Sequence, residues 1–218
     1  ADLALEIEDM PGRRAELLLQ RARLELHEHR PMEAERFLLE ALEEAPDEFA
    51  LYLRFEILHC LAASALSRRR FRDTDRYLEQ ASGLEDYADA ETLGQRRWMA
   101  GCSILRQAEG EPTGQEAVEA HEHLDASFSI LSRAGRWTDA AGVLPDLLGA
   151  SVWAGCLQAT TNKHGPEISI LARTGRLEGM IRKSLCALRD RLDEQNLDSS
   201  PIREFLAKHG PAGPEASS

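Results

Sequence analysis

Two His-Glu-His triplets, His27–His29 and His121–His123, contain residue types that could ligate a metal. Metal ligands on a helix share a face only at i,i+3 or i,i+4, and residues two apart point away from each other. Both triplets therefore read as exposed, solvated histidines, and no metal or other cofactor is expected. His59 and Cys60 are adjacent and face different directions, which argues against a cysteine–histidine nucleophile pair. The basic cluster Arg68-Arg69-Arg70 with Arg72 falls at a predicted hairpin turn. There it suits the negative end of a helix and can pair with Asp73 and Asp75, or it can meet an anion or an acidic peptide. The phosphate-loop, dinucleotide, zinc-protease and nucleophile-elbow signatures are all absent. No catalytic residue is assigned, and the chain reads as a non-enzyme.

Cys60, Cys102, Cys156 and Cys186 are far apart, form no C-x-x-C pair and lie among apolar or small residues. Buried free thiols are expected, which suits a reducing compartment. The chain of 218 residues carries 26 Lys and Arg against 38 Asp and Glu, a net charge of −12. Such a chain repels phosphate backbones and acidic membrane surfaces, so neither nucleic acid nor membrane is an expected direct partner. Six acids and no base lie between Arg106 and Arg133, as a solvated helix face or a docking surface for a basic partner. No apolar run approaches the roughly 18 residues of a membrane span, and no charged-then-apolar leader occurs. Cytoplasm is the expected location.

These groups must be positioned by helices. Leu, Ala, Glu and Arg dominate, Val is scarce, and no β-branched run reads as a strand, so the fold class is all-α. The chain also repeats itself. Arg30–Ala41 and Arg70–Ala81 agree in type at seven positions offset by 40, Leu18/Leu58 and Ala22/Ala62 extend the match, and Ser129–Trp137 echoes Ser169–Leu177 at the same offset. Each unit reads as two helices around a tight turn.

In the first unit, Pro31 opens the second helix and Pro46 stops it, with Asp47 placed to cap the next. The second hairpin spans about 48–67 and 71–82, with Gly83 at its C-terminal cap. The third pairs about 88–108 with 115–133 across the loop Glu109-Gly110-Glu111-Pro112-Thr113-Gly114. The fourth turns at Gly135-Arg136 and enters a helix kinked or broken near Pro145 or Gly149 that runs to about Asn162. Pro166 opens a short helix, Gly175-Arg176 turns into an amphipathic helix over about 177–195, and Ser200-Pro201 starts a closing helix to His209. Trp98, Trp137 and Trp153 are expected in the core. The domain reading is a repeat domain over 1–199, a capping helix over 200–209 and a disordered tail over 210–218.

Ala22, Ala34, Leu38, Ala41 and Pro46 carry the small, small, large, small and proline spacing of the tetratricopeptide repeat, which the first unit resembles. Ala62, Thr74, Leu78 and Ala81 repeat it, with Asp86 where the proline would stand. The match covers about residues 15–86. Later, Ala140, Leu144 and Leu147 keep the second-helix pattern, but Phe128 stands where a small residue is wanted. The period also exceeds the family's usual ~34 residues and lies at the edge of the HEAT and armadillo range.

The resemblance implies a right-handed α-solenoid of antiparallel helical hairpins, with the first helix of each hairpin lining a concave face. Carried over by position, Leu19, Arg23 and Leu26, then His59, Ala63 and Leu66, with Arg96 and Arg97 from the third unit, are the candidate peptide-binding residues. The implied function is a binding module, an adaptor or scaffold holding another protein or a peptide. The alternative is a sensor domain in which a peptide or metabolite alters the superhelix for a partner to read. Self-association is a further expectation, because the terminal hairpins of a solenoid must be capped or paired.

Overall fold

The computed structural model describes residues 12–45, 50–108, 112–173, 180–194 and 198–209. Among these the fold is all-helical: α1 (Arg13–His27), α2 (Pro31–Glu44), α3 (Leu51–Ser67), α4 (Phe71–Ser82), a 3-10 turn (Glu85–Tyr87), α5 (Ala90–Gln107), α6 (Gly114–Arg133), α7 (Trp137–Trp153), α8 (Leu157–Lys163), α9 (Gly165–Arg173), α10 (Met180–Glu194) and α11 (Ser200–His209). The expected Asp47 cap, the Gly175-Arg176 turn and the tail lie outside the described residues.

One turn recurs four times. After α1, the His29 N–H donates to the Leu26 carbonyl (3.0 Å) and the Arg30 N–H to the Glu25 carbonyl (2.8 Å). Arg69 and Arg70 repeat this on Leu66 and Ala65, Gly135 and Arg136 on Ser132 and Leu131, and Gly155 and Cys156 on Val152 and Ser151. This is the Schellman pattern, in which one left-handed residue lets the last carbonyls of a helix find donors. That residue has φ of 58° at His29 and Arg69, 73° at Gly135 and 69° at Gly155. Glycine accepts such angles freely, whereas His29 and Arg69 take them with a Cβ in place. Gly83 does not share the role, since its φ is −71°.

The fourth turn corrects the reading of the 138–162 stretch. The break falls at Gly155, and Pro145 sits inside an unbroken α7.

The packing follows the small residues. Ala22, Ala34, Leu38 and Ala41, like Ala62 and Ala81, are fully buried, and Thr74 and Leu78 stand buried at the matching places. Consecutive helices pack together from α1 through α8, and alternate helices also touch, α1 on α3, α3 on α5 and α5 on α7. Small side chains allow this proximity, because close-packed helices need backbones near one another. It is most extreme between α5 and α6. A Cβ at Gly94 would stand 2.6 Å from Leu131 Cγ, and one at Gly101 would stand 2.5 Å from Leu124 Cγ.

Two apolar cores result, meeting within α5. Met99 belongs to the first with α1–α4, and Cys102 to the second with α6–α11. Ile202 and Phe205 of α11 are buried in the second core. Trp98, Trp137 and Trp153 are half-buried, with the Trp98 indole donating to Asp146 at 2.8 Å. All four cysteines are free; Cys60 and Cys102 are buried, Cys156 and Cys186 only partly so. Among the described residues no helix is long and apolar enough to cross a membrane.

Candidate functional site

Helix α3 reads LYLRFEILHCLAASALS, an apolar run with an acid in its first half. Neighbours surround α3, since α1, α2, α4 and α5 all pack on it. Glu56 is consequently buried, at 4% exposure. A carboxylate taken out of water must be paired or it loses several kcal/mol of hydration. The pairing comes from Arg23 of α1, whose guanidinium donates to Glu56 Oε2. The other oxygen, Oε1, is buried with no hydrogen-bond partner among the described residues.

Above this pair lies a groove of about 560 Å³ between α1 and the start of α3. Glu16, Leu19, Gln20 and Arg23 form one wall, and Tyr52, Leu53 and Glu56 the other. Tyr52 is 52% exposed at the rim. The negative charge of Glu56, then partial burial and Asp89, push its phenol above the ordinary value, against the pull of Arg23. The groove is thus open and mixed apolar and polar, with Glu56, whose Oε1 is buried and unpartnered among the described residues, in its lining.

One turn further along α3, His59 is buried with its Nδ1 unpartnered among the described residues. Burial pushes its imidazole down to about 4, helped by the charges of Arg23 and Arg96 and opposed by a hydrogen bond to Gln95 and by Asp89. His59 is therefore neutral at pH 7. Arg96 is also buried, donating to the Leu78 carbonyl at 2.6 Å and to Glu85. Arg97 reaches the same Glu85 at 3.2 Å.

Of the residues expected on the concave face, the structure brings Leu19 and Arg23 together in the groove. Leu26, Ala63 and Leu66 are half-buried against the core. His59 and Arg96 lie within the protein, and Arg97 is half-buried on Glu85. Sequence reasoning missed Glu56 and Tyr52. The signal for Glu56 was present, as an acid inside an apolar helix, while nothing in the sequence distinguishes Tyr52 from an ordinary helix residue.

Several other groups differ from expectation. His27 and His29 are exposed, but His121 and His123 are half-buried. His121 Nε2 lies 2.9 Å from Thr160 Oγ1, and that hydroxyl donates to the Cys156 carbonyl at 3.2 Å. The Ser151 hydroxyl is likewise spent on the Leu147 carbonyl at 2.6 Å. These hydroxyls close helix backbone, so the cluster is a packing device and not an activated nucleophile. Nor is the acidic stretch wholly solvated, because Asp125 binds Lys163 and, at 2.8 Å, His164 Nε2. In the arginine run, Arg68 and Arg70 pair with Glu35, Arg70 also with Asp73, while Asp75 turns to Ser103 and Gln107. Among the described residues no three of His, Cys, Asp and Glu converge as metal ligands would.

No family model matches the chain, and comparison with curated proteins and with solved structures finds no significant match.

Proposed function

We propose that the chain is a tetratricopeptide-like, right-handed solenoid of antiparallel hairpins that binds an extended segment of another protein, as a cytoplasmic, non-enzymatic adaptor. The contacts of α1 with α3, α3 with α5 and α5 with α7 support it, since a solenoid's first helices form such a layer. The observation that carries it is the α1–α3 groove with its buried, unpaired Glu56 oxygen. A guest's backbone N–H or ammonium would satisfy that oxygen, while Leu19, Leu53 and Tyr52 offer apolar contact. The open groove suits an extended ligand better than an enclosed metabolite. A sensor is the second reading, favoured by the Glu56 oxygen without a partner among the described residues, which a small polar molecule would also satisfy.

Affinity capture from the native cell, followed by mass spectrometry, tests this with the wild-type chain beside Arg23→Met/Glu56→Leu. The adaptor reading expects a co-purifying protein that the double variant loses. A small molecule retained by the wild type alone supports the sensor, and identical captures from both chains overturn the groove as the binding site.

A further inference from the structure

The turn from α3 to α4 and the C-terminal end of α5 enclose a second concavity of about 540 Å³, lined by Arg69, Arg70, Arg72 and Arg106 with Asp73 as its acid. The ordinary explanations of an arginine run account for only part of it. Arg68 and Arg70 are held by Glu35, and Arg70 also by Asp73 at 2.6 Å. Asp73 is fully engaged, because its other oxygen takes Arg76 at 3.2 Å. Asp75, the next acid on α4, is held by Ser103 and Gln107, both at 2.7 Å. Among the described residues, Arg69, Arg72 and Arg106 form no ion pair. Three exposed guanidiniums therefore share one hollow. Among the described residues the acids beside it are engaged elsewhere, Glu35 and Asp73 in ion pairs and Asp75 in hydrogen bonds that leave its charge in place. The arginines thus outnumber the acids there, in a chain whose net charge is −12.

Uncompensated like charges held together favour an anion in their midst. A single carboxylate would leave most of that positive charge unmatched. A phosphomonoester brings about −1.5 to −2 charges and three acceptor oxygens, a fit for three guanidinium forks. Helix α4 adds to the field, since it begins at this hollow with no side chain capping its first turn. We infer that the Arg69–Arg72–Arg106 hollow is a binding site for a phosphomonoester dianion. The site shares no lining residue with the α1–α3 groove, and the inference does not rest on what that groove holds.

Isothermal titration calorimetry on the full chain at fixed ionic strength tests it. The probes are inorganic phosphate, the acetylated and amidated tripeptide Gly-phosphoserine-Gly, its unphosphorylated form and adenosine 5′-monophosphate. Saturable binding of phosphate and of at least one ester is expected, with none for the unphosphorylated tripeptide. Arg72→Gln/Arg106→Gln weakens it about tenfold or more, which corresponds to one strong charge-assisted contact or more. Arg133→Gln, an exposed change elsewhere, leaves it unaltered. Tighter binding of the phosphopeptide assigns the dianion to a modified side chain, and tighter binding of the nucleotide assigns it to a small metabolite; either supports the site. Circular dichroism checks that the double variant is folded, and the single Arg72→Gln gives the reading if it is not. Absence of saturable binding by all three phosphates, or equal affinity in folded variant and wild type, overturns the inference.

Discussion

Arg23 of α1 and Glu56 of α3 join two helices across the floor of a groove, and the pair uses only one of the two carboxylate oxygens. A pair built for stability alone would leave neither oxygen idle. Removing the arginine strands the buried carboxylate, so Arg23→Ala destabilises the fold by about 2–3 kcal/mol in urea unfolding. That is below the full cost for a wholly buried pair, since Arg23 still reaches water. Replacing both partners with apolar side chains, Arg23→Met/Glu56→Leu, restores most of the loss. A double variant as unstable as the single one would show that the pair is structural.

His59 makes stability depend on pH. Its imidazole is pushed by burial from the ordinary 6.5 down to about 4. As pH falls below 6.5 the unfolded chain takes the proton first, so the neutral His59 contributes its full stability above 6.5 and loses it between 6.5 and 4. The slope is at most about 1.4 kcal/mol per pH unit, and the loss comes to about 3 kcal/mol. His59→Phe should flatten the decline measured by urea midpoints at pH 7, 5.5 and 4.5. Burial also lowers His121 and His123, so a shallower slope of the same sign persists. Parallel curves for variant and wild type would rule His59 out.

The four matching turns predict opposite effects of opposite changes. His29→Gly relieves a Cβ held at φ 58° and stabilises by about 0.5–1 kcal/mol, net of the extra freedom glycine gives the unfolded chain. Gly135→Ala installs that strain at φ 73° and costs about 1 kcal/mol. Thermal melts of the two variants should move to either side of the wild type, and movement in one direction would contradict the shared geometry.

The α5–α6 contact has no room to give. Gly101→Ala would place its Cβ 2.5 Å from Leu124 Cγ and 3.0 Å from the Ala120 carbonyl, at a cost of about 1–3 kcal/mol. Gly114→Ala meets nothing within 4 Å and is neutral or stabilising. Equal unfolding midpoints for the two variants would show that the helices can part.

The helices were legible because local chemistry decides them. Pro31 marks the start of α2, and the spaced alanines mark the faces that bury. The start of α7 at Gly135-Arg136 was legible but its C-terminal end was not, since a proline usually breaks a helix and Pro145 does not. The last turn of that helix is set by Gly155, which periodicity cannot distinguish from Gly149. The site was half legible. Helical spacing placed Leu19 and Arg23 together on the face that lines the groove, but the partner of Arg23 lies on another helix, and only tertiary packing selects Glu56 from the acids of the chain. The same limit shows in the arginine run, where Asp73 does hold Arg70 as read, but Asp75 turns to α5 and Glu35, on α2, takes Arg68 and Arg70.

The proposed guest lies along the layer of α1 and α3 and not on the outer helices. A photo-reactive residue, p-benzoylphenylalanine, placed singly at Tyr52, at exposed Leu39 of α2 and at exposed Glu79 of α4 measures this in the native cell. A partner is expected to cross-link from position 52 and from neither of the others. Cross-links from positions 39 or 79 with none from position 52 would contradict it.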